Sequence, residues 1–112
     1  MGHRLSKIYT RTGDGGITGL ADGSRVAKDS QRISTLGDID ELNSLIGAIL
    51  IQDISSDMRE CLVDVQHALF DIGGELAIPC AVTVSEDYVA KIENSLDAFN
   101  EALPPLKEFI LP

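Results

Sequence analysis

Tryptophan is absent from this 112-residue chain, and aromatic residues make up only 4% of it. A core without large rings must be built from Leu, Ile, Val and Ala, which pack well between helices, so the shortage leans the fold towards α. Cysteine is nearly as scarce. Cys61 and Cys80 stand alone, without CxxC or Cys/His spacing, which excludes a zinc motif and a disulfide framework and leaves reduced packing residues. No apolar run approaches the roughly 20 residues that span a bilayer. The N-terminus also lacks the apolar stretch of a signal peptide, so a cytoplasmic protein with no membrane partner is expected.

Positive charge is the last scarcity, and its placement is informative. Nine Lys and Arg face eighteen Asp and Glu, for a net charge of −9. Six of the nine bases (Arg4, Lys7, Arg11, Arg25, Lys28, Arg32) fall in the first 34 residues against three acids, while the other 78 residues carry three bases and fifteen acids. Nucleic-acid binding wants an extended basic face, which this chain does not offer. A basic, glycine-rich head on an acidic body suits the capture of one compact anion.

Hydrophobic residues at 44% and charged residues at 24% describe an ordinary globular chain, and the length predicts a single domain over 1–112. Met58, Leu62, Val65, Leu69, Ile72 and Leu76 recur at steps of four and three, an apolar seam on one helix face. Asp57 with Glu60 fits a capping box at its start, and Pro79 stops it. A second seam, Val89, Ile92, Leu96, Phe99 and Leu103, opens at Ser85 as N-cap and closes at Pro104-Pro105. Upstream, Leu36, Ile39, Leu42, Leu45, Ile46, Ile49 and Leu50 trace a third stripe ending near Asp53. That helix starts either at an Asp38/Glu41 capping box or near Ser30, with Gly37 inside it. The expected fold is all-α, an up-down bundle over 31–112, with helices of about 18 residues. Residues 1–30 show no helical period: weak strand character over Leu5–Thr12 and five glycines within 13–24 predict an extended glycine-rich arm and loop.

That loop, "YTRTGDGGIT", carries the chemistry. Gly13, Gly15 and Gly16 can take positive φ and let backbone N–H groups approach a ligand; Thr10, Thr12 and Thr18 add hydroxyls; Arg11 and Lys28 add charge. These are the parts of a phosphate cradle. Neither a Walker A ending nor a strand-turn-helix GxGxxG is present, so motif logic stops at an anion site, with a plain solvent-exposed turn of comparable weight. In "GDIDELNS" the acids at the front of a helix are explained by its dipole, and Asp40 or Asn43 at the stripe's edge can pair with an arginine elsewhere. Gly73-Gly74 interrupts the strongest helix at about 1 kcal/mol each relative to Ala, a cost that close helix approach explains. His67 has no second ligand at metal spacing, and His3 is expected to be disordered. No nucleophile or catalytic triad is apparent, so any chemistry belongs to the ligands and no catalytic or metal-binding residue is assigned.

Five stretches in order, "KIYTRTGDGGITGL", "RVAKDSQRI", "GDIDELNSLIG", "LFDIGGELAIP" and "LPPLKEFILP", resemble the N-terminal part of the PduO-type ATP:cob(I)alamin adenosyltransferases, from about Lys7 to Pro112. The resemblance implies an ATP-dependent transferase. Co(I) of a reduced corrinoid attacks the 5′ carbon of ATP, giving adenosylcobalamin and triphosphate. It also implies a five-helix bundle assembled as a homotrimer, with ATP and Mg²⁺ at subunit interfaces. By matching position, Thr10, Arg11, Thr12 and Gly13 would line the triphosphate, Thr18 and Gly19 would close over it, and Lys28 would contact phosphate. Asp40 resembles an acid that pairs across the interface with an arginine. Phe109 resembles an aromatic on the lower face of the corrin.

Two departures accompany the resemblance. Gly15 stands where some relatives have lysine, and the chain ends before the arginine-rich helix and the final helix that complete the family's nucleotide site. The chain is therefore expected to be C-terminally incomplete, with three of five helices, and unable to turn over unless the rest is supplied in trans. A non-catalytic ATP- or corrinoid-binding helical module is the second reading. A purely structural bundle is the third, which the ordered motifs disfavour.

Overall fold

The computed structural model describes residues 7–112, so His3, Arg4 and the first part of the Leu5–Thr12 stretch lie outside the described residues. The order of elements is β1 (Ile17–Gly19), β2 (Arg25–Ala27), α1 (Gln31–Leu50), α2 (Ser56–Ala77) and α3 (Asp87–Glu101). Helices dominate, as the composition predicts. The front end corrects the all-α expectation: part of the loop folds into a two-stranded antiparallel hairpin, with Ile17 opposite Ala27, Thr18 opposite Val26 and Gly19 opposite Arg25. Residues 7–12, where strand character was expected, are not in a strand.

The hairpin turn explains why the strands pair. Gly23 N–H donates to Leu20 O (3.1 Å) and Leu20 N–H to Ser24 O (2.8 Å), with Gly23 at φ +87°. A type I turn followed by a left-handed residue is a favoured three-residue hairpin connection, and glycine adopts that conformation without penalty. Asp22 braces the turn by accepting from Ser24 N–H (2.9 Å) and Ser24 Oγ (2.6 Å). The Ser24 hydroxyl and amide together hold the Asp22 carboxyl below its ordinary range.

Ser30 is the N-cap of α1, which resolves the open boundary in favour of the early start, with Gly37 inside the helix. α2 is capped by Ser55, whose hydroxyl accepts from Met58 N–H at 3.3 Å. Asp57 therefore sits in the first turn, where its charge suits the helix dipole, and is not the cap. Gly73 and Gly74 do not break α2, which runs unbroken for 22 residues. A Cβ at Gly73 would make only an ordinary contact with Leu36 Cδ2 at 3.9 Å, and one at Gly74 would meet nothing within 4 Å, so close helix approach does not account for the glycine pair. In α3, Ser85 Oγ accepts from Asp87 N–H at 3.2 Å, close to its expected capping role, although the residue flanking the helix is Glu86.

Contacts between α1 and α2 fall in opposite order along the two helices. Arg32 Nη1 donates to Leu76 O, Asn43 and Gln66 exchange side chain–backbone bonds, and Arg59 donates to Leu50 O, so the pair is antiparallel. The buried residues are Ile46 on α1 and Ala68 and Leu69 on α2, with Ala68 lining the cleft towards α3. Full burial of a leucine is worth about 2 kcal/mol. α3 lies against α2 in the same antiparallel sense, through Tyr88 Oη to Asp71 Oδ2 (3.0 Å) and Lys91 to Asp64 (3.8 Å).

Much apolar surface remains uncovered. Leu96 is 63% exposed, and the rest of the α3 seam is exposed with it, as are Leu42, Leu45 and Ile49 on α1. The accessible surface totals 9549 Å², whereas a compact chain of this size exposes about 6,000 Å². The radius of gyration is 18.2 Å against about 13 Å for a compact domain of this length.

Candidate functional site

The glycine-rich loop is held at both ends. Downstream, Lys28 N–H donates to Gly16 O at 2.9 Å and extends the hairpin ladder by one rung. Outside the ladder, Ala21 N–H donates to Ala77 O (2.9 Å) and Arg32 Nη1 to Leu76 O (2.8 Å), so the hairpin and the start of α1 are both tied to the carbonyl end of α2. A cation on those terminal carbonyls also suits the helix dipole.

Within the loop the structure brings Gly13 and Lys28 together. A Cβ at Gly13 would stand 2.9 Å from Lys28 Cε, 3.0 Å from its Nζ and 3.0 Å from Ile17 O. Glycine at position 13 thus leaves space for the Lys28 side chain and does not serve a positive φ. Of the three glycines expected to use positive φ, only Gly16 does (+88°). Arg11 takes the other left-handed position in the loop (φ +61°), and its guanidinium lies over the Tyr9 ring at 5.3 Å. A left-handed arginine is strained, and the cation–π contact helps to hold it.

The hydroxyls of Thr10 and Thr12 are 2.9 Å apart, which places two donor-acceptor groups on one side of Arg11. Gly13 and Gly15 N–H find no acceptor among the described residues. Thr18 differs. The rungs at 16/28 and 20/24 put Thr18 and Val26 in a hydrogen-bonded pair, so its amide belongs to the ladder and its hydroxyl is the group left for a ligand. Gly19 pairs with Arg25. α1 begins three residues beyond Lys28, with no acid in its first turn and Asp29 just before its N-cap. Free amides, hydroxyls, two cations and a helix N-terminus form a set that can hold a polyanion.

Asp40 and Phe109 lie apart from this set. Asp40 is exposed on α1 and lines an open notch with Asn43, Ser44, Gly47 and Gln66. It forms no ion pair among the described residues. Phe109 is fully exposed, and the rest of 102–112 is also exposed, though less completely. No group of three His, Cys, Asp or Glu is arranged to hold a metal among the described residues.

Sequence reasoning missed Arg25, which it counted only as charge. Its Nη2 donates to Thr12 O (3.1 Å) and Ile17 O (3.3 Å), gripping both ends of the loop. The signal that could have exposed it is Asp22-Gly23 between Ile17-Thr18 and Val26, a hairpin cue that would have placed Arg25 on a strand beside the loop.

A family model described as cobalamin adenosyltransferase matches residues 8–112. The cobalamin adenosyltransferase of Cupriavidus metallidurans is 56% identical over 113 residues, covering all of this chain and 61% of that protein. The human corrinoid adenosyltransferase is 36% identical, over 97% of this chain and 48% of its own length. Among solved structures, a single-site variant of the PduO-type ATP:corrinoid adenosyltransferase of Lactobacillus reuteri, complexed with cobalamin and ATP, superposes with a TM-score of 0.83 at 31% identity, over 95% of this chain and 63% of that one. The chain spans about three fifths of the bacterial relatives' length. With the match running from the glycine-rich loop through all three helices to the last residue, the chain belongs to the cobalamin adenosyltransferase family.

Proposed function

We propose that this chain carries the nucleotide-binding part of an enzyme that transfers the 5′-deoxyadenosyl group of ATP to cob(I)alamin. In that reaction the cobalt electron pair forms a bond to C5′, the C5′–O bond breaks, and triphosphate leaves with the bonding electrons. No nucleophilic side chain is needed for that step. The protein's task is to hold the triphosphate still and offset its charge.

The observation that carries the reading is the apposition of Lys28 to Gly13, whose missing Cβ makes room for the ammonium beside free backbone amides. On this reading Thr10, Arg11, Thr12 and Gly13 line the triphosphate, Thr18 and Gly19 close over it, and Lys28 contacts phosphate. Mg²⁺ would arrive on the phosphate oxygens, since the loop offers hydroxyls and amides and no acidic cluster. Phe109 would face the corrin, and its full exposure leaves it free to do so.

The uncovered seams support a larger assembly: an up-down bundle of five helices with a glycine-rich arm, joined as a homotrimer in the cytoplasm. Asp40, unpaired among the described residues and set in an open notch, would meet an arginine across the subunit interface.

Titration of Mg-ATP into the chain by calorimetry tests the core of the proposal. Saturable binding is expected, weakened roughly tenfold or more in Lys28→Ala, the value of one charge-assisted hydrogen bond. No binding by a chain that circular dichroism shows to be folded would overturn it.

A further inference from the structure

Arg25 is the cation whose place in the loop the proposed reaction leaves unexplained. Its Nη2 points at two backbone carbonyls, Thr12 O at 3.1 Å and Ile17 O at 3.3 Å, which bracket the segment 13–16. The guanidinium runs along the hairpin past Gly19, where an added Cβ would sit 3.8 Å from Nη1. A side chain that spends its donors on carbonyls 13 and 8 positions away in sequence is shaping the backbone.

We infer that Arg25 is a positioning residue, which aims the amides of the glycine-rich loop at the triphosphate without touching it. The geometry of the peptide bond supplies the reason. In a trans peptide the C=O and the following N–H point in opposite directions across one plane. Drawing Thr12 O towards the guanidinium therefore turns Gly13 N–H to the other side, and that amide has no acceptor among the described residues. Ile17 occupies a non-hydrogen-bonded rung, so its carbonyl is not used by the ladder and is free for Arg25 to take. Gly16 N–H to Gly13 O (3.1 Å) closes the turn between the two gripped ends. Without the guanidinium, the Thr12 carbonyl would be free to rotate towards the anion, where its dipole opposes binding, while the Ile17 carbonyl stays held through the ladder bond of Thr18 N–H.

This inference rests on the loop being a phosphate site, and the test separates the two ideas. Mg-ATP and inorganic triphosphate are titrated into the wild-type chain, Arg25→Met and Arg25→Lys, and amide hydrogen exchange of residues 12–18 is measured in the free proteins. Helix content by circular dichroism confirms that each variant is folded. The expected result is roughly tenfold weaker binding of both ligands to Arg25→Met, with faster exchange across the loop before any ligand is added. Arg25→Lys, one bond shorter and without the planar fork, should recover only part of the loss. Unchanged affinity in Arg25→Met alongside wild-type binding would overturn the inference and leave the phosphate site standing. Weaker binding with unchanged exchange in the free loop would overturn it in favour of direct contact with phosphate, and full recovery in Arg25→Lys would reduce the role to charge. Failure of the wild-type chain to bind either ligand would remove the phosphate site and the inference together.

Discussion

Gly13→Ala offers the most incisive test of the loop, because the structure says what the added methyl group would strike. The new Cβ would stand 2.9 Å from Lys28 Cε, 3.0 Å from Lys28 Nζ and 3.0 Å from Ile17 O. Alanine suits the backbone at this position, which has no positive φ. The lysine is the softer obstacle, so its side chain should swing away while the carbonyl yields by a few tenths of an ångström. Stability should fall by no more than about 1 kcal/mol, the lower end of the range for over-packing. Binding should fall further. A displaced ammonium loses a charge-assisted contact worth about 1.5 kcal/mol at an exposed site, or roughly a tenfold rise in Kd for Mg-ATP. Because the damage passes through Lys28, the substitution should cost little in a Lys28→Ala background. Calorimetry on the two single variants and the double variant yields the coupling, expected on the order of 1 kcal/mol. Additive losses, or wild-type affinity in Gly13→Ala, would refute the claim that glycine is there to admit the lysine.

The remaining predictions concern the frame around the loop. Glu75, near the end of α2, accepts hydrogen bonds from Val84 and Thr83 N–H, and these, with Val84 the larger influence, hold its carboxyl below the ordinary value of 4.5. A depressed folded-state value means stability that is complete above the ordinary value and is lost as pH falls below it towards the depressed one. Thermal melts should therefore show a decline in that acidic window that Glu75→Gln flattens. Tyr88 ionises above its ordinary value of 10.0, chiefly because its hydroxyl donates to Asp71. Ultraviolet titration of Asp71→Asn should move phenolate formation at Tyr88 to lower pH, and an unchanged titration would remove that bond from the account of how α3 is attached.

How much could be read from residues alone depended on how local each signal was. The seam from Met58 to Leu76 was legible because a 3.6-residue period repeated over five steps marks a helix whatever it packs against. The start of α2 was misplaced by two residues because Ser55, Ser56 and Asp57 are all capping types, and only the hydroxyl bond to Met58 N–H selects Ser55. Gly13 and Gly16 look alike in sequence yet serve opposite needs: Gly13 leaves space for Lys28, while Gly16 supplies a left-handed backbone with nothing within 4 Å of its absent Cβ. The hairpin was missed because strands of three residues are too short to show alternation, leaving Asp22-Gly23 as the sole cue.

The α3 seam teaches the converse. Val89, Ile92, Leu96, Phe99 and Leu103 were read as the apolar seam of a bundle helix, yet all five are exposed, and the polar bonds that tie α3 to α2 come from Tyr88 and Lys91 beside them. Sequence periodicity records that a face is suited to burial; it carries no information about which surface covers it. The same holds for charge. Lys28 and Arg25 are equivalent in a composition count, but one ammonium stands over a glycine beside free amides and the other cation is committed to two carbonyls. Binding and positioning diverge at that point, because an anion is attracted by net charge at long range but is held by the direction in which each peptide dipole faces. A loop with both cations present and its carbonyls turned outward would attract triphosphate and fail to fix it.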